Sequence, residues 1–334
     1  MLRQDPISGH CVIVASNRAR RPHQLRRTEV RLDDVVCPFC EGQEATTTAE
    51  VFAFRDASSQ PDQPGWRVRV VPNKYPALEL GAGTGSLGRD GDRLFPIRCV
   101  EGIHEVFIES AEHLTSISRL NNDRLAEVVA AYLQRMRHFR NDRRIRSAII
   151  FKNVGAAAGA SLEHVHSQLM ATSFVPHTLA VEVDNGARFF SDHQRCYFCE
   201  LVGREAATSD RVVFETGHFL VICPFASRFP YEMCILPKQH LSHFENLPEH
   251  QAADLADVLR KSVVCLERSL EEATYNFLIH TAPFDMPDLE YYHWHVEVLP
   301  RTSGIAGYEW GTGCYINPNA PEDAARALRQ WVQS

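Results

Sequence analysis

Eight cysteine and histidine residues of this sequence occur in pairs whose spacing suits metal binding or catalysis. The pairs follow the patterns C-x-x-C and H-x-H, and they comprise Cys37, Cys40, Cys196, Cys199, His164, His166, His293 and His295. In a chain without a secretory signal, C-x-x-C indicates a zinc site or a redox pair rather than a structural disulfide. A histidine can serve there as a metal ligand, and its neutral ring can also act as a nucleophile.

The pairs recur in the same order because the sequence contains an internal repeat. Residues 104–120 align without a gap on residues 231–247. In each half this block is followed by an amphipathic helix, then by a short apolar strand and then by the histidine pair. We therefore predict a duplication with two domains, residues 1–184 and residues 185–334.

Hydrophobic periodicity predicts the elements that position these residues. Helices are expected after Asn122 and after Pro248, and strands are expected over 147–152 and 276–280. Apolar and polar residues also alternate through both histidine pairs, so each pair is predicted to lie on a strand. The residues expected on one face are His164, His166 and Gln168 in the first half and His293, His295 and Glu297 in the second. The predicted fold class is α+β, with antiparallel sheets, flanking helices and a terminal helix from Pro321.

The repeats supply two sets of four residues that suit structural zinc, which needs nitrogen or sulfur ligands arranged as a tetrahedron. The predicted ligand sets are Cys37, Cys40, His113 and His164 for one site and Cys196, Cys199, His240 and His293 for the other. His104 is excluded as a ligand because the second repeat has Tyr231 at that position. We expect two zinc ions per chain. Buried cysteines without metal, or a redox pair, are the alternatives.

A loop of small residues, 153–161, precedes the first histidine pair and suits the binding of a phosphate group. Its glycines let backbone N–H groups approach an anion, and Asn153 and Ser161 add side-chain donors. The corresponding stretch of the second repeat contains no glycine. We predict that His166 attacks a phosphorus atom and that Gln168 hydrogen-bonds a phosphoryl oxygen, while the second half carries no nucleophile. An ordinary polar strand face is the alternative.

Composition and charge exclude several classes of function. The chain has 334 residues and a net charge of −7, which disfavours nucleic-acid binding because that needs a basic surface. No apolar run approaches the roughly 20 residues of a membrane span, and the N-terminus lacks the features of a signal peptide. We therefore expect a cytoplasmic protein that binds neither nucleic acid nor a membrane. Residues 83–88 match G-x-G-x-x-G but do not precede a helix, so a flexible loop is predicted there.

The pattern N-x-G-x-x-x-G-x-S-x-x-H-x-H-x-Q, over residues 153–168, resembles the active-site motif of galactose-1-phosphate uridylyltransferases, a branch of the histidine-triad superfamily. Further similar segments are Cys37 with Cys40, 70–79, 293–301 and 307–318. The resemblance implies a duplicated histidine-triad-like fold, a homodimer and a role in galactose metabolism. It also implies a ping-pong nucleotidyltransferase reaction, in which a nucleoside monophosphate moves from a nucleotide sugar to His166 and then to a hexose 1-phosphate.

The same resemblance implies a set of substrate-binding residues. They are Asn73, Asn153, Ser161, Gln168, Tyr308 and Glu309. Asn73 would lie near the nucleoside, and three of the others would contact the transferred phosphoryl group. Tyr308 and Glu309 would reach the hexose, in this family often from the partner subunit.

Two features leave the donor base and the acceptor open. The presence of a second C-x-x-C motif resembles a subgroup of the family that has two zinc sites. This subgroup includes bacterial uridylyltransferases and the plant-type ADP-glucose phosphorylase, which moves an adenylyl group onto phosphate. Gly304 stands where many bacterial relatives have a basic residue, which slightly favours the phosphorylase. UDP-glucose with a hexose 1-phosphate is the first hypothesis, and ADP-glucose with phosphate is the alternative. A histidine-triad hydrolase, in which a third histidine usually replaces Gln168, and a zinc-stabilised binding module are weaker alternatives.

Overall fold

A computed structural model of the protein describes residues 1–16, 36–81, 94, 100–302 and 304–332. The loop predicted at 83–88 and residue Ser303 lie outside these ranges. The strands of the described part are β1 (Leu2–Gln4), β2 (Cys11–Val14), β3 (Phe52–Arg55), β4 (Trp66–Pro72), β5 (Gly102–Ile108), β6 (Ser147–Val154), β7 (His166–Thr172), β8 (Val212–Glu215), β9 (Phe219–Ile222), β10 (Met233–Pro237), β11 (Tyr275–His280), β12 (His295–Pro300) and β13 (Cys314–Asn317). The α-helices are α1 (Asn122–Arg140), α2 (His177–His193), α3 (Tyr197–Thr208), α4 (Glu249–Ser269), α5 (Gly307–Thr312) and α6 (Pro321–Arg329).

Ten of these strands form one sheet in the order β3-β4-β5-β7-β6-β11-β12-β10-β9-β8. Every pairing in it is antiparallel. The second half repeats the order of the first, since β8-β9-β10-β12-β11 mirrors β3-β4-β5-β7-β6. Strands β6 and β11 pair at the centre, where Asn153 lies opposite Asn276. The duplication therefore builds one continuous sheet rather than two separate ones.

Helices α1 and α4 cover one face of this sheet and pack against each other. The side chain of Asn121 caps α1 by accepting a hydrogen bond from the backbone N–H of Arg124. Apolar residues at helical spacing, such as Leu125 and Tyr132, are buried against the sheet. Both helices predicted from periodicity are confirmed, as is the terminal helix that begins at Pro321.

The opposite face is covered differently in the two halves. In the second half, Val183 of α2 packs with Tyr292, and Phe198 of α3 packs with Leu220. In the first half, Phe39 from a loop packs against the apolar side chains of β4 and β5. Two helices therefore close this face in the second half, whereas a loop borders it in the first.

A smaller sheet joins the two ends of the described chain in the order β1-β2-β13. Strands β2 and β13 run parallel, which the sequence did not indicate because they come from opposite ends of the chain. The boundary expected at residue 184 falls within α2, so the division into two domains stays a prediction. Among the described helices, none combines the length and apolar composition needed to cross a bilayer.

Candidate active site and metal centres

The first predicted ligand set comes together beside the start of β7. The ligand atoms of Cys37, Cys40, His113 and His164 all lie within 4.8 Å of one another. The Sγ atom of Cys40 lies 3.4 Å from Nδ1 of His113, and both Sγ atoms lie 3.6 Å from Nδ1 of His164. The Nε2 of His164 lies 2.8 Å from the carbonyl oxygen of Ser110 and donates to it, which leaves Nδ1 for a metal.

The second predicted set has the same arrangement, and its members are Cys196, Cys199, His240 and His293. The Sγ atom of Cys199 lies 3.3 Å from Nδ1 of His240 and 3.8 Å from Nδ1 of His293. The Nε2 atoms of these histidines lie 2.9 Å from the carbonyl oxygen of Leu289 and 2.8 Å from that of Pro237, respectively. Each carbonyl accepts the ring N–H, so both Nδ1 atoms face the cysteines.

Both groups match the separations expected of a tetrahedral metal site. Zinc-like bond lengths and tetrahedral angles place a sulfur and a nitrogen ligand about 3.6 Å apart. Five of the eight sulfur–nitrogen separations in the two groups lie between 3.3 and 3.8 Å, and all ligand atoms of a group lie within 4.8 Å of one another. The donor set, the distances and the oriented histidines therefore allow each half to hold one metal ion.

A third group that could hold a metal lies in the second half, and among its residues the sequence motifs mark only His295. It comprises Glu182 of α2, His280 at the end of β11 and His295 at the start of β12. Oε2 of Glu182 lies 3.2 Å from Nδ1 of His280, whose ring stacks on that of His295 with the centroids 4.7 Å apart. Burial opposes the charged form of His280, but Glu182 and Glu297 raise its pKa to about 9. The raised pKa favours a protonated His280 ring beside the carboxylate of Glu182.

His166 lies at the start of β7 on the face opposite α1. Its neighbour Ser167 contacts Tyr132 of α1, so the side chain of His166 points the other way. The Nδ1 of His166 lies 2.7 Å from the carbonyl oxygen of His164 and donates to it, which leaves the lone pair on Nε2. Burial, together with the charge of Lys152, lowers the pKa of His166. The ring is therefore neutral at neutral pH, with one nitrogen free to act as a nucleophile.

The predicted phosphate loop leaves β6 and turns at two glycines. Gly155 and Gly159 have φ values of +80° and +85°, which favour glycine. A Cβ atom on Gly155 would also lie 2.5 Å from Cγ2 of Thr274. The backbone N–H groups of residues 158–160 donate to carbonyl oxygens within the turn. The expectation that the loop offers its backbone to an anion is therefore wrong for these three groups, because the turn already uses them.

Asn153 can supply a donor because a residue of the second half orients its amide. Nδ2 of Asn276 donates to Oδ1 of Asn153 and to the carbonyl oxygen of Ala158, both at 2.8 Å. Since its oxygen is occupied, Asn153 has its Nδ2 group left to donate. Asn153 and His166 line a cavity of about 370 Å³, and Ser161 is exposed at the end of the loop.

Gln168 and Asn73 meet on the face that carries His166. Gln168 follows His166 by two residues on β7, and Asn73 directly follows β4. Nδ2 of Asn73 lies 3.5 Å from Oε1 of Gln168. His104 of β5, which was excluded as a metal ligand, lies with Nε2 only 2.7 Å from the same oxygen. The fold therefore brings Asn73 and Gln168 together on the sheet face that carries His166, and it adds His104 to them.

Tyr308 and Glu309 lie on α5, beside the small sheet. Tyr308 is 47% exposed, and Oε2 of Glu309 accepts a hydrogen bond from the backbone N–H of Ala306 at 3.1 Å. Between described residues, no hydrogen bond joins α5 to the face that carries His166. Their expected role in hexose binding stays a prediction.

A buried ion pair supports the backbone beneath His166. Nζ of Lys152 lies 2.5 Å from Oε2 of Glu109 and donates to the carbonyl oxygen of His166 at 2.7 Å. Oε1 of Glu109 accepts from the hydroxyl of Tyr132 at 2.7 Å, and this hydroxyl lies 2.8 Å from Oγ of Ser167. Lys152 and Glu109 are each only 1% exposed. The pair therefore ties β5, β6 and α1 to the start of β7.

Comparison with known proteins assigns the chain to a family. The family model of the galactose-1-phosphate uridyl transferase N-terminal domain matches residues 1–176, and that of the C-terminal domain matches residues 182–305. The chain belongs to this family. ADP-glucose phosphorylase of Arabidopsis thaliana is 35% identical over 98% of this chain and 92% of the relative. The galactose-1-phosphate uridylyltransferase of Thermotoga maritima is 29% identical over 98% of each chain.

Solved structures of the galactose-1-phosphate uridyl transferase family share the architecture. The crystal structure of an Arabidopsis thaliana ADP-glucose phosphorylase with bound ADP-glucose has a TM-score of 0.83 at 35% identity and covers 99% of this chain and 98% of that chain. A uridylyltransferase structure has a TM-score of 0.78 at 25% identity, with coverage of 99% and 98%. These similarities confirm the family, the duplicated histidine-triad-like α+β fold and the nucleotidyltransferase class. They support the uridylyl and adenylyl hypotheses equally.

We predict that Lys152→Met lowers the free energy of unfolding by about 3–5 kcal/mol, because it leaves the buried carboxylate of Glu109 without a positive charge beside it. Lys261→Met is the control, since Lys261 pairs with Asp257 at 2.6 Å while its side chain is 38% exposed. That change should cost about 0–1 kcal/mol. Urea unfolding followed by circular dichroism measures both values, and equal losses would contradict the structural role of the buried pair.

Proposed function

We propose that the protein transfers nucleoside monophosphate groups through a covalent nucleotidyl-His166 intermediate. The observation that carries this proposal is the tautomer of His166, whose Nδ1 is bound to the carbonyl oxygen of His164 at 2.7 Å. Nε2 keeps its lone pair, and His166 lines the cavity beside the phosphate loop. Membership of the galactose-1-phosphate uridyl transferase family supports the same chemistry.

The proposed reaction has two half-reactions at one phosphorus atom. The Nε2 lone pair of His166 attacks the α-phosphorus of a nucleotide sugar, and a phosphorus–nitrogen bond forms. The bond from this phosphorus to the bridging oxygen breaks, and the hexose 1-phosphate leaves with the electron pair. An oxygen of the acceptor phosphate then attacks the same phosphorus, and the electrons of the phosphorus–nitrogen bond return to Nε2.

Neutral donors surround the proposed position of the phosphoryl group. Asn153 has its Nδ2 group available, and Gln168 lies on the same strand face as His166. We propose that these amides and the hydroxyl of Ser161 bind the phosphoryl oxygens, whose charge grows as the nucleophile attacks. Asn73, beside Gln168, is proposed to contact the nucleoside.

Two donor–acceptor pairs fit this reaction. Transfer from UDP-glucose to a hexose 1-phosphate, a step of galactose metabolism, is supported by the uridylyltransferase relative from Thermotoga maritima. Transfer from ADP-glucose to phosphate is supported by the ADP-glucose phosphorylase relative from Arabidopsis thaliana. Gly304 is exposed and offers no charged side chain to a sugar phosphate, which fits the second pair.

We propose that both Cys/His groups hold structural zinc. Two cysteine thiolates and two imidazoles are a typical zinc donor set, and four protein ligands leave no position for a reactive water. The separations of 3.3 to 3.8 Å between sulfur and nitrogen atoms support this assignment in both halves. Zinc in the first group would fix His164, whose carbonyl group orients His166.

We also propose a cytoplasmic homodimer in which α5 of one subunit reaches the hexose site of the other. Tyr308 and Trp310 of α5 are 47% and 76% exposed, and a partner subunit would cover these aromatic rings. Each cysteine among the described residues is free of disulfides, which agrees with a reducing compartment.

Incubation with UDP-glucose or ADP-glucose and no acceptor is predicted to add one nucleoside monophosphate per chain, measured by intact-protein mass spectrometry. The bond should survive alkali and break in acid, as expected for a phosphoramidate. His166→Ala should abolish the label, because it removes the ring whose Nε2 keeps its lone pair, and His295→Ala should keep it. Labelling of folded His166→Ala, or two labels per chain, would contradict the proposal.

The acceptor is predicted to be a phosphate compound rather than water. Isolated nucleotidyl-enzyme is mixed with galactose 1-phosphate, with inorganic phosphate or with buffer alone, and the products are separated by chromatography. Formation of a nucleotide sugar identifies the hexose-1-phosphate uridylyltransferase activity, and formation of a nucleoside diphosphate identifies the phosphorylase activity. Release of nucleoside monophosphate in buffer at the same rate would show a hydrolase instead.

Elemental analysis is predicted to find about two zinc ions per chain, because each half supplies a complete set of four ligands. Cys196→Ser should reduce the content to about one and lower the melting temperature, since metal binding contributes to folding. Cys11→Ser, outside both groups, should retain two. One zinc in the unmodified protein, with Cys196 and Cys199 open to alkylation, would exclude the second site.

A further inference from the structure

Gln168 must present one particular end of its amide for the proposed reaction. Phosphoryl oxygens only accept hydrogen bonds, so the NH₂ group of Gln168 has to face them and Oε1 has to face the protein. The two ends are nearly equal in shape, and a free amide would sample both orientations. The surroundings of Oε1 therefore decide whether Gln168 arrives in the productive orientation.

His104 supplies the donor that holds this oxygen. The backbone N–H of Ala77 points at Nδ1 of His104, 3.4 Å away, so Nδ1 acts as the acceptor and Nε2 carries the hydrogen. Nε2 lies 2.7 Å from Oε1 of Gln168, a full-strength hydrogen-bond distance. With this tautomer the partner atom on Gln168 has to be an acceptor, which assigns the oxygen to the His104 side.

Asn73 supports the same orientation. Its Oδ1 accepts a hydrogen bond from the backbone N–H of Tyr75 at 2.9 Å, so its Nδ2 group faces Gln168. That group lies 3.2 Å from Nε2 of His104 and 3.5 Å from Oε1 of Gln168. Because Nε2 of His104 is a donor in the tautomer set by Ala77, Oε1 of Gln168 is the acceptor that remains for both groups. Two donors on neighbouring residues therefore mark this end of the amide as the oxygen, and the NH₂ end remains for a ligand.

The sheet holds His104 rigidly at this position. Its side chain is largely buried, and its carbonyl oxygen accepts from the backbone N–H of Asn73 at 2.8 Å. On the adjacent strands β5 and β7, His104 lies opposite Met170 and Val106 lies opposite Gln168, so the histidine reaches Gln168 diagonally across one face. The orientation of the amide is therefore built into the sheet before any substrate binds.

We propose that His104 is a positioning residue that sets the amide orientation of Gln168 for nucleotidyl transfer. This inference rests on the proposed function, because the orientation matters only if Gln168 binds the phosphoryl group. The second half supports it by contrast. There Glu297 replaces Gln168 and lies opposite Cys234, so the sheet register puts Glu232 in the place of His104. Arg228 holds both carboxylates, Glu297 at 2.6 Å and Glu232 at 3.0 Å. A carboxylate has two equal acceptors and needs no such orientation.

A double-mutant cycle on the full-length protein tests the proposal. His104→Phe keeps the ring shape and removes both nitrogens, and His104→Gln keeps an N–H donor near the position of Nε2. Each is made alone, and His104→Phe is also combined with Gln168→Ala. The first-order rate of nucleotidyl-His166 formation is measured at saturating nucleotide sugar, and melting temperature and zinc content report on folding.

We expect His104→Phe to slow nucleotidylation by about 10-fold or more, because a misplaced donor forfeits much of its stabilisation of the transition state. The concentration of nucleotide sugar at half-saturation should change little. His104→Gln should restore most of the rate. In the Gln168→Ala background the same Phe substitution should change the rate by less than about 2-fold, since coupled residues are not additive.

Three outcomes would overturn the inference. They are a folded His104→Phe with the unmodified rate, an equal loss of rate with and without Gln168, and a His104→Gln as slow as His104→Phe. Failure of the proposed function is distinguishable, because the unmodified protein would then form no nucleotidyl-His166 at all.

Discussion

The antiparallel pairing of β6 with β11 is the constraint on which the remaining structure depends. It joins both halves into one sheet, and its register places Asn153 opposite Asn276. The loop that starts at Gly155 therefore turns against Thr274 and Asn276 of the second half. A shift by one residue would turn Asn276 toward the face covered by helices and remove the bond that orients Asn153. The phosphate loop of one half is thus completed by the other.

In both halves the second histidine of the H-x-H pair makes the same backbone hydrogen bond, but the surroundings of its ring differ. His166 and His295 each donate from Nδ1 to the backbone carbonyl two residues earlier. A phenylalanine of the C-x-x-C motif packs against each ring, Phe39 against His166 and Phe198 against His295, but the ring of His295 also stacks on His280. The cavity beside it measures about 60 Å³, against about 370 Å³ beside His166. The helices α2 and α3, rather than the loss of a histidine, therefore distinguish the surroundings of His295 from those of His166.

Sequence spacing predicted the parts of the site that lie on repeated elements, since equivalent elements bring equivalent ligands together. Both Cys/His groups, helices α1 and α4 and strands β6 and β11 follow from this register, whereas α2 and α3 were not predicted. Sequence spacing did not predict those parts of the candidate site that form by contacts between elements distant in the chain. Glu182 and His280 meet only after α2 packs on the sheet, and Asn276 meets its partner only across the central pairing. The use of the N–H groups of residues 158–160 within the turn depends on backbone angles, which the small side chains permit but do not specify.

The motif H-x-H places two histidines in opposite tautomers, and backbone carbonyl groups determine both. His164 donates from Nε2 to the carbonyl of Ser110 at 2.8 Å, which turns Nδ1 toward Cys37 and Cys40. His166 donates from Nδ1 to the carbonyl of His164 at 2.7 Å, which leaves Nε2 for the substrate. His164 thus serves the metal group with its side chain and the nucleophile with its backbone. A displacement of His164 would tilt the ring of His166, so under the proposed function a metal held by this group would stabilise the nucleophile while remaining outside the reaction.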